Sequence, residues 1–145
     1  KLDTNVALAR FCNNFSSMLA SGVPILQALD IVGSTSGNYV IDSSSKRVGR
    51  LVERGYRLAD SMSTEKIFPN MLVQMVSIGE DSGAIDKMLS SAGRAYDEEA
   101  QSMAKQLTSL LEPLMILFLG VVVGFMVVAL YMPMFSMFDA INGQA

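Results

Sequence analysis

With 145 residues, a net charge of −3 and half its residues hydrophobic, the chain has room for one ordinary domain and lacks the basic field that would hold nucleic acid. It has no histidine and one cysteine, which excludes Ser–His and Cys–His nucleophiles, His-ligated metals and any internal disulfide. Neither nucleotide-binding glycine motif, G-x-x-x-x-G-K-[ST] or G-x-G-x-x-G, is present.

From Thr4 to Ala20, Val6, Leu8, Phe11, Phe15, Met18 and Leu19 fall at helical spacing and predict a first helix. Cys12 lies inside this stripe, so a buried, inert thiol is expected; a lone cysteine also fits a reducing compartment. Pro24 suits the first turn of a second helix, because the N–H it lacks would be unpaired there. Gly33 to Gly37 reads as a loop. Asn38 to Arg54 predicts a third helix with Val40, Ile41, Val48, Leu51 and Val52 inward and Gly55 as its stop. Leu58 to Met62 is a short fourth helix, and Asn70 to Ile78 a fifth, after the Phe68-Pro69 boundary. Gly79 to Gly83 is then a turn. From Ala84, Ile85, Met88, Leu89, Ala92, Tyr96, Ala100, Met103, Leu107, Leu110 and Leu111 recur every three or four residues along a sixth helix. No period-two pattern appears. The fold class is all-α: a six-helix antiparallel bundle over residues 1–112, followed by one C-terminal transmembrane helix.

That last helix is set by an apolar run. No charged residue occurs from Pro113 to Phe138, and Leu114 to Met132 supplies the roughly 20 residues needed to cross about 30 Å of hydrocarbon. The residues before it are too few to wrap such a helix on every side. Pro113 either kinks a continuous helix or starts a new one. Residues 113–138 form the span and residues 139–145 a short tail. Arg94 and Lys105 lie upstream of the span and no Lys or Arg lies downstream, which places the bundle in the cytoplasm and the tail outside. The chain opens on Lys1 rather than an initiator Met and without a signal peptide, as a processed product or a piece of something longer would.

Several residues are candidates for contact rather than chemistry. Gly120 and Gly124 form G-x-x-x-G in the apolar helix, a helix-packing seam set against the general abundance of glycine in membrane helices. Glu112, beside Pro113, marks a kink at the membrane edge, where a carboxylate reaches headgroups or water. Glu80, Asp81 and Asp86 gather around the expected start of the sixth helix, with Ser82 or Gly83 as N-cap. Their spacing matches no EF-hand, and interaction with the helix dipole explains them better than a metal or catalysis. Lys46, Arg50 and Arg54 repeat every four residues on one stripe of the third helix, opposite in sign to the acid-rich Asp97, Glu98 and Glu99. No cofactor or metal site is expected. Carboxylate hydrolysis needs two carboxyls facing across a pocket, and the sequence pairs them only on short turns.

Read together, Arg10-Phe11, Gly22-Val23-Pro24-Ile25-Leu26-Gln27-Ala28-Leu29, Phe68-Pro69, Gly79-Glu80-Asp81-Ser82-Gly83-Ala84-Ile85-Asp86 and Leu111-Glu112-Pro113-Leu114 resemble one family. It is the F-type inner-membrane platform proteins of bacterial type II secretion and type IV pilus machines. The match corresponds to the second cytoplasmic domain and last membrane helix of that family, whose members carry two such domains and three spans. The resemblance implies a bacterial inner-membrane location and a non-enzymatic role. Such a protein couples a hexameric cytoplasmic ATPase to pilin or pseudopilin assembly, alongside other inner-membrane machine components and further copies of itself. Lys46, Arg50, Arg54, Glu80 and Asp81 are then candidate contacts for the ATPase or for self-assembly. The rival reading is a membrane-anchored oligomerisation or signalling module that works through Gly120 and Gly124.

Overall fold

A computed structural model describes residues 1–143 as six α-helices: α1 (Leu2–Ala20), α2 (Ile25–Thr35), α3 (Tyr39–Glu53), α4 (Leu58–Ser63), α5 (Asn70–Ser82) and α6 (Ile85–Asn142). There is no strand among the described residues. The chain divides into a compact unit over Lys1–Met103 and a second unit beginning at Ala104.

Local signals set most helix ends in the first unit. Asn38 caps α3, its side-chain oxygen accepting from the N–H groups of Val40 at 2.9 Å and Ile41 at 3.3 Å. Gly55 follows that helix at φ +97°, a left-handed conformation that glycine alone adopts without strain. Two boundaries differ from expectation. Gly33, Ser34 and Thr35 belong to α2 and not to a loop. Gly33 is there because α3 passes close: a Cβ on it would stand 2.7 Å from the Ser45 Cβ. The segment expected as a turn from Gly79 is helical to Ser82, and the left-handed residue that stops α5 is Gly83, at φ +71°. Neither Ser82 nor Gly83 caps α6: the Ser82 hydroxyl donates back to the Ile78 carbonyl at 2.8 Å.

The core is built on α1. Phe11 and Phe15 are fully buried; Phe11 meets Phe15 at 5.6 Å and Phe68 at 5.3 Å between ring centroids, both tilted. Each buried ring contributes roughly 1.5–3 kcal/mol of hydrophobic stabilisation, plus a smaller aromatic term. Leu8, Leu29, Val32, Ile41, Val48, Met62, Leu72, Val76 and Leu89 close around them. Val40, expected inward, is exposed, because Asn38 sets a phase that turns Ile41, Ser44, Ser45 and Val48 to the core.

Polar pairings give the helix directions. Asn5 faces Met103, the Asn13 amide donates to Asp97 at 3.0 Å, and the Ser16 hydroxyl donates to the Asp86 carbonyl at 2.6 Å. Positions rise on α1 as they fall on α6, so the two run antiparallel. The Gly33–Ser45 and Gly49–Leu29 approaches make α2 and α3 antiparallel in the same way. α1 begins at Leu2, so its cover over α6 is exhausted where Asn5 meets Met103. Accordingly Ala100 is the last buried core residue, and Leu107, Leu110 and Leu111, expected on the inward stripe, are exposed.

The second unit is helical throughout its described residues up to Asn142, with Pro113 and Pro133 inside the helix. Pro113 therefore starts no new helix. The apolar stretch of α6 is long enough to cross a membrane and none of it is buried, which makes it a candidate membrane span. The expected tail is helical from Asp139 to Asn142; residues 144 and 145 lie outside the described part.

Candidate functional site

The acidic pair Glu80 and Asp81 sits at the C-terminal end of α5, where helix-dipole stabilisation is unavailable. Asp86 lies in the first turn of α6 as expected, but for Glu80 and Asp81 the expected interaction with that helix start is replaced by another. Glu80 reaches the N-terminus of α4, where its two carboxylate oxygens accept from the N–H groups of Leu58 at 3.1 Å and Ala59 at 2.6 Å. It satisfies two donors that a helix start leaves without an internal partner, and as a charged acceptor it does so strongly. Beside it, Arg57 Nη2 bonds Asp81 Oδ1 at 2.7 Å, with both side chains largely exposed. The two acids thus fasten the α3–α4 connection to the end of α5. Among the described residues no group of three acidic or cysteine side chains converges as a metal-ligand set.

On α3, the three bases differ in their partners. Lys46 pairs with Asp42 at 2.9 Å, and that hydrogen bond is the main cause raising its pKa. Arg50 and Arg54 enter no ion pair among the described residues. Lys46, Arg50 and Glu53 of α3 and Asp30 of α2 line a groove of about 380 Å³, with Ser45 also in its wall. The surface carries both signs, which suits a partner presenting both.

A third polar clasp involves Glu65, which the sequence did not single out. Arg47 grips Glu65 with Nε and Nη2, both at 2.7 Å, and the Ser44 hydroxyl donates to Glu65 at 2.9 Å. The Arg47 hydrogen bond holds the Glu65 carboxyl below the usual carboxylate range, outweighing the upward push of burial, with Ser44 and the guanidinium charge assisting. No local pattern announces a pair separated by 18 positions. Cys12 is buried, and burial pushes its thiol up to about 12, with the nearby Asp97 charge adding. It is a packing residue and not a nucleophile at neutral pH.

In the second unit, Gly120 and Gly124 have nothing within 4 Å of where a Cβ would stand. The helical glycines Gly33, Gly79 and Gly93 of the first unit each meet a neighbour at 3 Å or less. Glu112 is exposed next to Pro113, whose ring nitrogen cannot bond the Ser109 carbonyl. Nearby hydroxyls turn inward: Thr108 donates to the Ala104 carbonyl at 3.0 Å and Ser109 to that of Gln106 at 2.9 Å.

Comparison with known proteins places these features in a family. Residues 11–133 match the sequence model described as type II secretion system (T2SS), protein F. The chain is 40% identical over 136 residues to the type IV pilus assembly protein PilC of Pseudomonas aeruginosa, covering 94% of this chain and 36% of that protein. It is 42% identical to the type IV pilus assembly protein TapC of Aeromonas hydrophila, covering 94% of this chain and 33% of that protein. It is 31% identical to the type II secretion system protein F of P. aeruginosa, covering 89% of this chain and 32% of that protein. The chain thus spans about a third of the length of these curated relatives. A match running from the core residue Phe11 through the apolar helix to Pro133 leaves little of the fold outside it, and the chain belongs to the type II secretion system protein F family.

Proposed function

We propose that this chain is the helical-bundle domain and final membrane helix of an inner-membrane platform in a pilus-assembly or secretion machine. One observation carries the reading: a single family match covers both the bundle and the apolar α6. Relatives named for pilus assembly stand at 37–42% identity and those named for type II secretion at 31–32%, which favours a pilus machine. In this reading residues 1–112 are cytoplasmic, 113–138 cross the inner membrane and 139–145 face the periplasm. The Lys and Arg bias around the span supports that direction. The platform couples a hexameric cytoplasmic ATPase to pilin or pseudopilin assembly, working by being moved and not by catalysis.

Lys46, Arg50, Arg54, Glu80 and Asp81 are the proposed contacts for partners or for a second copy. Arg50 and Arg54 come first, since neither is engaged in an ion pair among the described residues. Glu112 and Pro113 mark the membrane edge. The test is co-purification of an intact platform containing this domain with its ATPase, together with stimulation of ATP hydrolysis. Loss of binding in R50E/R54E with the fold retained is expected. Absence of association by the unaltered platform would sink the coupling role.

A second reading has its own support. Gly120 and Gly124 sit four apart on α6 and add no side chain to the face they share, which suits close approach of another membrane helix. Gly120→Ile then abolishes self-association in membranes while leaving ATPase binding intact.

A further inference from the structure

The two prolines of α6 stand about 20 residues apart, which is about 30 Å of helix at 1.5 Å per residue. That equals the hydrocarbon thickness of a bilayer. Yet α6 continues beyond Pro133 to Asn142, and the continuation is two-sided. At about 100° per residue, Met134, Phe135, Met137, Phe138 and Ile141 share one side, Ser136 and Asp139 fall on the other, and Asn142, the last helical residue, closes the apolar side with a polar group. All five apolar side chains are exposed.

An upright helix spanning from Pro113 would push those five side chains into water. Sliding the helix to submerge them would strip lipid from Leu114, Met115, Ile116, Leu117 and Phe118 instead. Keeping all residues from Pro113 to Phe138 in the hydrocarbon needs a tilt of roughly 40°, the edge of what membrane helices show. Pro133 offers a fourth arrangement. It cannot donate to the Ala129 carbonyl, and the Ser136 hydroxyl donates to the Met132 carbonyl at 3.3 Å; both features bend helices.

We propose that residues 133–142 form an interfacial foot, hinged at Pro133, which lies on the distal membrane surface. Its face of Met134, Phe135, Met137, Phe138 and Ile141 enters the acyl boundary, while Ser136 and Asp139 stay in water. The partner is the lipid surface itself. The foot has no lysine or arginine, so its hold is apolar and does not require anionic lipid. The proposal rests on the reading of α6 as a membrane span and shortens that span, so that residues 113–132 cross and residues 133–138 leave the hydrocarbon for its surface.

The chain contains no tryptophan, so single-tryptophan reporters are clean. The full chain carrying Phe125→Trp, Phe135→Trp, Phe138→Trp or Ser136→Trp is reconstituted into phosphatidylcholine vesicles with bromines at defined acyl depths. Position 125 is expected to be quenched most by deep bromines. Positions 135 and 138 are expected to be quenched most by bromines nearest the headgroups. Position 136 is expected to be several-fold more accessible to aqueous acrylamide than either. A depth profile at 135 and 138 matching that at 125 overturns the foot and leaves the span standing. So does acrylamide quenching at 135 and 138 without lipid quenching, or equal accessibility at 135, 136 and 138. No lipid quenching at 125 would remove the span and the foot together.

Discussion

A methyl group at Gly79 would stand 2.7 Å from the Ile85 Cα and 3.1 Å from its nitrogen, both backbone atoms that cannot step aside. Gly79→Ala gains roughly 1 kcal/mol in helix propensity, but moving α6 away from α5 costs more. The expected net loss is about 1–3 kcal/mol, read by thermal or urea unfolding. Gly93→Ala meets the Asn13 side chain, with its Cγ at 2.7 Å, which can swing away at the loss of its bond to Asp97, and the Asn13 backbone nitrogen at 3.3 Å, which must give by only a few tenths of an ångström, so the penalty is smaller than at Gly79. Gly120→Ala meets no such clash, so it is expected to cost nothing and to keep a helix-propensity gain of up to roughly 1 kcal/mol. If all three behave alike, close approach is not what places these glycines. Local sequence announces Gly55, because a helix needs a stop there. It cannot announce Gly79 or Gly93, whose reason is a neighbour far along the chain or across a turn. Glu65 belongs to this scale as well. Its folded pKa is depressed, so the stability it lends is present above the unfolded carboxylate value of about 4.3 and is lost as pH falls through the lower folded value. Glu65→Gln should therefore flatten the acid limb of the stability curve while neutral-pH stability drops. An unchanged acid limb would mean that the Arg47 clasp does not persist in solution.

Among the elements, α4 is the one least able to stand alone. It has six residues, no side-chain cap of its own, and Arg57 at its N-cap position. Isolated helices of that length are unstable in water, so it depends on burial of Leu58, Ala59 and Met62 and on the borrowed cap from Glu80. Glu80→Ala is expected to cost about 1–3 kcal/mol and to speed hydrogen exchange at the Leu58 and Ala59 amides. Glu80→Gln keeps one acceptor oxygen and should lose less. Unaltered exchange at those two amides in Glu80→Ala would remove the cap from the account. The existence of all six helices was legible from apolar periodicity and from Pro24, Gly55 and Pro69, which act on the backbone locally. The end of α5 was not. Both Gly79 and Gly83 are plausible stops by composition, and only the packing of α6 against Gly79 leaves Gly83 as the left-handed residue. The same slip moved Glu80 and Asp81 from the end of one helix to the beginning of the next, and with it the physical role assigned to them.

At the scale of the whole molecule, the two units answer to different solvents. The apolar run was legible because a bilayer imposes composition over a fixed length, a demand no tertiary contact can disguise. The limit of the bundle was harder to read. The stripe of apolar residues passes Met103 without a break, and the sequence alone extends the domain to residue 112. Burial stops at Ala100, however, and Leu107, Leu110 and Leu111 have no cover. Among the described residues every buried core side chain lies within residues 1–103, which also form one compact unit. A chain ending at Met103 is therefore expected to be helical, cooperative in unfolding and monodisperse in buffer without detergent. A chain ending at Glu112 should unfold at the same free energy to within about 0.5 kcal/mol, because the added turns bury nothing, and should associate more readily through its exposed leucines. The full chain should require detergent or lipid. Circular dichroism and size-exclusion chromatography separate these outcomes. Should the shorter chain prove unfolded and the longer one stable, residues 104–112 would have to contribute packing that their exposure does not allow.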